Sequence, residues 1–556
     1  MIFEEKEPRL LTALLLPLLA LALAYPLWHL AERDLFWNEG DYAVIAGEFD
    51  SFPPVVTAHG QIMTDEYPLY PILAHWLSHC GLGMEFSLRF LSLLSFGGLA
   101  LIIWITCWRA AGLQAAAASA SIMLSTILVA EKSIEGYPQM LSVLLIFSGW
   151  LLWFNLGQGR GMWDLAWVFA GLFGGLAFYN GGWITLIYFL VPLMFQRRPL
   201  SIWPKINRWG FAAGALIVLS FVLFWGLPWW FEGMASPQKV LQPDPLGDSL
   251  MEYLEDVCLF PFEVLMRFLP WTLILWAPFC AALIPLDKNP LFSKFLRILT
   301  YVLFVLVWLN PDTRGRDILY LAPLLATLGG VNYWIVARRY GYRLLGLFRL
   351  TAWLMIAAAG GCIAYLVLPE ETIDFIPFIT RDLSFKEDPA YLLRSVCELG
   401  GSVLLALTAL LLCRREKPVW ALCLTLFCSA MLIYWAVVNP YKASDHSRKR
   451  IGLELREALA VQQTPPGTIV YKDAALAGLY SETYYMGYPV RALNSLSDLP
   501  ESGSVVYLIS ATPPTTVNRN WTKLLDTLYR ERRLYLWKGV LREDIADDYY
   551  DEYDRY

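Results

Sequence analysis

Two carboxylates stand together in Trp37-Asn38-Glu39-Gly40-Asp41-Tyr42-Ala43, directly after the first long apolar run of the chain. Glu39 or Asp41, at the start of a helix just outside a bilayer, can take a proton from a hydroxyl as a general base. The same residues also suit a plainer role, with Asn38 capping the helix and both acids complementing its dipole. Further along, Arg314 and Arg316 stand at the edge of another apolar run, and Tyr320 follows Arg316 by one helical turn. Guanidinium groups in this place suit an anionic phosphate, because their donors form a fork that meets two oxygens at once. Arg89 is a third cation for that task. Glu135 is a further acid, in a short segment with Glu131 and Lys132 before Pro138. His59, His75 and His79 share one segment, but His75 and His79 lack the acid of a zinc-protease pattern, and interfacial aromatics account for them. No nucleotide-phosphate loop or dinucleotide fingerprint stands out.

The elements that must hold these groups follow from composition. Of 556 residues, 57% are hydrophobic and 17% charged, and the mean hydropathy is +0.47. A soluble protein of this size is excluded. A hydrocarbon core of roughly 30 Å takes about 20 apolar residues per helix. Such runs lie near 10–30, 86–108, 113–130, 138–156, 163–179, 182–195, 209–230, 266–286, 296–310, 317–336, 350–368, 393–413 and 419–438. The reading is a mostly α, polytopic membrane protein with about thirteen transmembrane helices, the sixth of them short. The first run follows Glu4, Glu5, Lys6 and Glu7 and has no small-residue cleavage site, so it reads as a retained span.

Basic residues then set the orientation. Arg197, Arg198, Lys205 and Arg208 share one loop; Lys288, Lys294 and Arg297 a second; Arg338, Arg339 and Arg343 a third; Arg414, Arg415 and Lys417 a fourth. All four fall on one side, which the excess of cations assigns as cytoplasmic. The loops at 31–85, 131–137, 231–265, 311–316 and 369–392 then lie outside, with everything after 438. Short surface helices are expected at Asp41–Phe49, Pro68–Leu77 and Leu246–Phe260. Residues 1–438 form the membrane domain, and 439–541 a small soluble extracytoplasmic α/β domain. Its expected elements are helices at Ser447–Ala460 and Trp521–Tyr529, with strands at Thr468–Lys472, Val505–Ser510 and Arg533–Lys538. The acidic, tyrosine-rich tail at 542–556 reads as disordered. None of the nine cysteines lies after 438, so that domain does not rest on disulfides, and Cys80 and Cys258 in outer loops read as unpaired.

The first outer loop continues through Tyr67-Pro68-Leu69-Tyr70-Pro71-Ile72-Leu73-Ala74-His75-Trp76. Ser87-Leu88-Arg89-Phe90-Leu91-Ser92, Phe268-Leu269-Pro270-Trp271-Thr272-Leu273 and Arg316-Asp317-Ile318-Leu319-Tyr320-Leu321-Ala322-Pro323 follow in order. This series resembles the GT-C superfamily of polytopic glycosyltransferases. It is most similar to the branch holding the lipid A aminoarabinose transferase and the protein O-mannosyltransferases, which carry an Asp-Glu-x-x-Tyr-Ala motif after the first span. Each motif is weak alone; their order and the topology carry the likeness over nearly the whole chain.

The resemblance implies a glycosyltransferase that moves a hexosyl or pentosyl unit from a polyprenyl phosphate carrier to a lipid, glycan or protein acceptor, without nucleic acid. Glu39, Asp41 and Glu135 are then the catalytic candidates. Asn38, Tyr42, Tyr67, Arg89, Arg314, Arg316 and Tyr320 are the substrate-binding ones. No metal is required by the sequence, although a divalent cation is compatible with it. The implied place is a bacterial inner membrane. Four polar positions depart from the family: Asn38 replaces its first acid, Tyr67 its loop lysine, Gln139 an aspartate and Gly181 a lysine. An amide is no carboxylate base. Either Glu39 or Asp41 has taken that role, with Glu135 replacing the acid missing at Gln139, or the chain is a degenerate relative that binds a polyprenyl lipid or assists a partner. A transporter, which needs polar or broken helices near the midplane, ranks last.

Overall fold

Long apolar runs form helices here because a segment surrounded by hydrocarbon must satisfy its own amides and carbonyls. The structure, a computed structural model, describes residues 8–36, 38–49, 55–235, 250–269, 271–310, 315–367, 389–415, 418–440, 448–474, 476, 478–500, 505–515, 519–529 and 532–541. Trp37, Arg314 and the tail at 542–556 lie outside the described residues, as does most of the segment at 369–392. The chain divides into two units. One comprises Met1–Arg33, Arg89–Leu223 and Pro245–His446, and the other Asp34–Leu88, Phe224–Asp244 and Ser447–Tyr556.

Among the described residues eight helices are long and apolar enough to cross a membrane, or ten if each of two bent pairs counts as one span. The chain is therefore built as an integral membrane protein. Its departures from the expected spans have local causes. The run at 266–286 forms no spanning helix but three short turns, Thr272–Leu275, Ala277–Phe279 and Ile284–Leu286. Pro278 and Pro285 each remove an amide donor and stop helix propagation. Arg297 holds this irregular backbone, donating from Nε to the Pro278 carbonyl at 2.7 Å and pairing with Asp287 at 2.6 Å. The run at 113–130 breaks at Thr126 into Leu113–Ser125 and Ile127–Ser133, bent by 66°. The basic segment around Arg338, Arg339 and Arg343 is not a loop but part of the helix Tyr333–Val367. Charge sets where a helix leaves hydrocarbon, and arginine does nothing to end it.

The runs at 163–179 and 182–195 lie in one element, Trp163–Met194, that reverses in its middle. Gly181 (φ −147°, ψ 17°) and Gly182 (φ 72°, ψ −157°) leave helical geometry. A Cβ on Gly174 would sit 3.0 Å from the Phe189 ring, whereas a straight helix separates residues 15 apart by about 22 Å. The two runs are thus the arms of a helical hairpin. Only glycine adopts the φ of residue 182 without strain.

The second unit combines the segment after the first span with the C-terminal region. Helix Glu39–Gly47 leads to a small antiparallel pair, β1 (Thr57–Ala58) and β2 (Gln61–Ile62), and then to helix Leu69–His79. The C-terminal sheet holds β3 (Val470–Asp473), β4 (Val490–Leu493), β5 (Val505–Ser510), β6 (Arg519–Tyr529) and β7 (Arg532–Leu541), in the order β4-β3-β5-β7-β6. β3 runs parallel to β4 and β5; β7 is antiparallel to β5 and β6. Helices Lys449–Val461 and Tyr480–Met486 pack Leu455, Leu459 and Met486 against Val470, Ile509 and Leu536. The expected helix at Trp521–Tyr529 is strand β6. Trp521, Leu524, Leu525 and Leu528 have helical spacing, but an irregularity in register between Lys523 and Leu525 shifts the strand's alternation by one residue and mimics that spacing.

Helix Glu39–Gly47 docks on helix Tyr480–Met486 at Gly40. A Cβ there would lie 2.3 Å from Ser481 Oγ and 2.6 Å from its backbone nitrogen. Gly40→Ala is therefore expected to destabilise this unit by about 1–3 kcal/mol through overpacking. Limited proteolysis across the 34–88 segment will show earlier cleavage in the variant; an unchanged pattern would remove the constraint placed on Gly40.

Candidate functional site

The acids after the first span divide into two roles. Glu39 is 1% exposed and its Oε2 accepts the Phe36 amide hydrogen at 2.9 Å. It closes the helix start, while the Asn38 side chain makes no capping bond to the helix. Asp41 faces a set of charges, Glu66, Arg448, Lys472 and Glu482. Burial, and then the Glu66 charge, push its carboxyl up to about 7 against the pull of Arg448 and Lys472.

Lys472 is the unexpected member. It lies on β3 with Val470 on the inward face, 4% exposed. Its Nζ is 3.3 Å from His59 Nδ1 and 5.1 Å from the Tyr480 ring centre. Burial lowers the ammonium to about 8, opposed by Glu482, Asp41 and Asp473. His59 stacks on Tyr480 with ring centres 4.9 Å apart, and its Nε2 lies 2.8 Å from Thr483 Oγ1. Burial, and then the Lys472 charge, hold the imidazole down to about 2, so it is neutral. Lys472 donates to Nδ1, Nε2–H donates to Thr483, and the Thr483 hydroxyl donates to the Leu479 carbonyl at 2.8 Å. Buried Glu482 meets Arg448 at 3.7 Å. A lysine on the inward face of a short strand was the available sequence signal. Tyr42 meets Tyr70 edge-on at 5.7 Å, and Tyr67 stacks on Trp225 at 5.1 Å. His75 and His79 turn Nδ1 to the Ala46 and His75 carbonyls at 2.7 and 2.9 Å. Among the described residues no group of three or more metal-ligating side chains gathers.

In the membrane unit, Arg316 and Tyr320 come together with residues not singled out in the sequence. The Arg316 guanidinium lies over the Tyr137 ring at 4.7 Å. Tyr320, buried, meets Tyr188 at 5.2 Å and shares a hydrogen bond with Ser142. Asn310 donates to the Tyr188 hydroxyl at 3.1 Å, and Asn180 donates to Ser142 Oγ at 2.7 Å and to the Pro138 carbonyl at 2.8 Å. Asn180 precedes the Gly181–Gly182 reversal, and a Cβ on Gly181 would be 3.0 Å from Ser142 Oγ and 2.5 Å from Thr185 Cγ2. This crowding leaves no room for a longer side chain at 181 unless Thr185 and Ser142 shift. Among the described residues Asn180 Oδ1 and Gln139 Oε1 are buried without a hydrogen-bond donor. Glu135 is held by Lys132 at 2.8 and 3.0 Å. Arg89 is buried, with one nitrogen donating to the Leu30 carbonyl at 2.7 Å and to the Arg33 carbonyl at 2.5 Å. It ties down the chain beyond the first helix, which is reason enough for its burial. Arg314, the other expected phosphate ligand, lies outside the described residues.

No family model and no curated protein matches this chain. Solved structures do. The crystal structure of ArnT from Cupriavidus metallidurans in the apo state is similar with a TM-score of 0.65 and 16% identity, over 95% of this chain and 98% of that one. The same protein bound to undecaprenyl phosphate gives a TM-score of 0.63 and 18% identity, again over 95% and 98%. The chain thus has the GT-C fold expected from its motif order, mostly helical with a small C-terminal sheet region.

The charges of the second unit make its stability readable by pH. His59, held below its unfolded value near 6.5, contributes stability above about pH 6.5 that is lost as pH falls. Asp41, raised above its unfolded value, acts oppositely and gains stability as pH falls through about 7. The two nearly cancel between pH 7.5 and 5. Asp41→Asn removes the offset, so the variant is expected to lose about 2 kcal/mol over that range while the parent stays nearly level. Native-state proteolysis at several pH values checks this; parallel profiles would contradict it.

Proposed function

We propose that this chain is a membrane glycosyltransferase that moves a sugar from a polyprenyl phosphate carrier to a hydroxyl of a lipid, glycan or protein acceptor on the extracytoplasmic face. The observation that carries the reading is the fold shared, over 95% of this chain, with a protein crystallised with undecaprenyl phosphate. In the proposed step the bond from the sugar C1 to the carrier phosphate oxygen breaks and a bond from C1 to the acceptor oxygen forms. Asp41 takes the acceptor's proton. Its carboxyl, poised at about 7, suits a base that must accept a proton near neutral pH. Glu39 is excluded from this part by its burial and its bond to the Phe36 amide. Separately, within the membrane unit, the Arg316 guanidinium suits the carrier's phosphate in charge and in hydrogen-bond geometry. Asn180 Oδ1 and Gln139 Oε1 suit the hydroxyls of a sugar, since a buried acceptor without a donor costs about 1–3 kcal/mol. Glu135, paired with Lys132, is a positioning residue in this scheme.

A second reading, a relative that binds the carrier without transfer, is favoured by Asn38, Tyr67, Gln139 and Gly181 standing where the family has charged residues. Turnover with a lipid-linked sugar in proteoliposomes separates the two. Asp41→Asn is expected to lower transfer by about 100-fold or more while carrier binding persists, and the parent rate should fall as pH drops below about 7. Arg316→Gln should chiefly raise the KM for the lipid donor. Full activity in Asp41→Asn would remove the base assignment, and carrier binding with no product from the parent protein would favour the second reading.

A further inference from the structure

The membrane unit holds a polar-rimmed cavity, of about 570 Å³, between the helices Met84–Ala111 and Gln139–Phe154. Its walls are apolar, with Ile102, Leu145 and Phe173 among them, and its polar rim includes Arg109, Asn155 and Asn289. This rim is far from Tyr137 and Ser142. Ser142 lies in the first turn of the helix Gln139–Phe154 and Tyr137 just before it, whereas Asn155 follows its end, about 20 Å from Ser142 along the axis.

We propose that this groove binds one anionic glycerophospholipid of the leaflet at that end of the unit, its phosphate on Arg109 and an acyl chain along Ile102 and Phe173. Arg109, exposed in the last turn of its helix, makes no hydrogen bond or ion pair among the described residues. A guanidinium at the mouth of an apolar groove matches a phosphate on an acyl anchor in charge and in hydrogen-bond geometry. Asn155 opens a π-helical turn, Asn155–Gly159, a wider winding that recurs at functional sites, and its amide is exposed at the rim. Asn289 uses its Oδ1 for the Phe292 amide at 3.3 Å, which leaves its NH2 group to donate outward. Lys205 adds positive potential behind the turn, 3.5 Å from the ring centre of Trp163, against which Gly157 packs. Among the described residues no carboxylate lines the groove to receive the ammonium of a zwitterionic headgroup. The charge pattern therefore selects a lipid with net negative charge.

Native mass spectrometry of the full chain, titrated with phosphatidylglycerol and phosphatidylcholine of the same acyl chains, tests the assignment. One phosphatidylglycerol is expected to be retained at least about tenfold more tightly than phosphatidylcholine, with a preference that weakens as salt rises. Arg109→Gln should reduce it to the phosphatidylcholine level, and Asn155→Ala should weaken it less. Thermal unfolding of both variants in phosphatidylcholine should match the parent, showing that the fold is intact. Equal retention of the two lipids, or undiminished phosphatidylglycerol binding by Arg109→Gln, would overturn the site. Displacement of the lipid by an equal concentration of glycerol phosphate would overturn the acyl anchor and leave only a phosphate site.

Discussion

A charge withdrawn from water costs several kcal/mol unless other charges or hydrogen bonds compensate it, and the second unit is organised around that cost. Asp41 sits among Lys472, Arg448, Glu66 and Glu482, and each partner reaches it from a different part of the chain. Arg448 begins the helix of the C-terminal region, Lys472 belongs to β3, and Glu482 to the helix that touches Gly40. The five-stranded sheet and the segment after the first span therefore depend on each other through electrostatics as well as packing. Glu48 adds to this at the other end of the Glu39–Gly47 helix, where it accepts the His59 and Gly60 amides at 2.6 and 3.2 Å.

In the membrane unit the corresponding constraint is a reversal of direction inside an apolar helix. A left-handed glycine at 182 turns the chain back, and the turn leaves polar groups that must be satisfied locally. Thr185 serves two of them, donating to the Ala177 and Gly182 carbonyls at 2.7 Å each. Asn180 joins the Pro138 carbonyl to Ser142, and the second arm brings Tyr188 beside Tyr320. The polar chain Asn310–Tyr188–Tyr320–Ser142–Asn180 is thus a consequence of the hairpin. A pattern of broken, polar helices is also what a transporter needs, but here the polar groups line up with Arg316 and Tyr137 at one end of the helix Gln139–Phe154.

Much of this was legible in the residues, for definite reasons. Helices Glu39–Gly47 and Leu69–His79 were readable because a helix start with acids, and an aromatic face at helical spacing, do not depend on distant contacts. The hairpin was readable because the charge-free run from 165 to 195 is too long for a single span unless the glycines divide it. By contrast β6 was misread as a helix, because a register shift gives an edge strand the spacing of an amphipathic helix. The run at 266–286 was misread because hydropathy weighs side chains and takes no account of the amide that each proline removes. Lys472 and His59 were missed as a pair because they lie far apart in the chain, and only the fold makes them neighbours.

Gly181, Tyr67 and Asn38 therefore do not act alike. At Gly181 a larger side chain would collide with Thr185 and Ser142 unless the hairpin moved. Tyr67 lies against Trp225, where stacking rather than charge decides the residue. At Asn38 the side chain makes no capping bond to the helix, while the neighbouring Glu39 accepts the Phe36 amide, so an acid at 38 would add another carboxylate beside Glu39 and Asp41. Like charges raise each other's pKa, and with Glu66 already lifting Asp41 to about 7, another anion would push the proposed base past the range in which it is ionised at neutral pH.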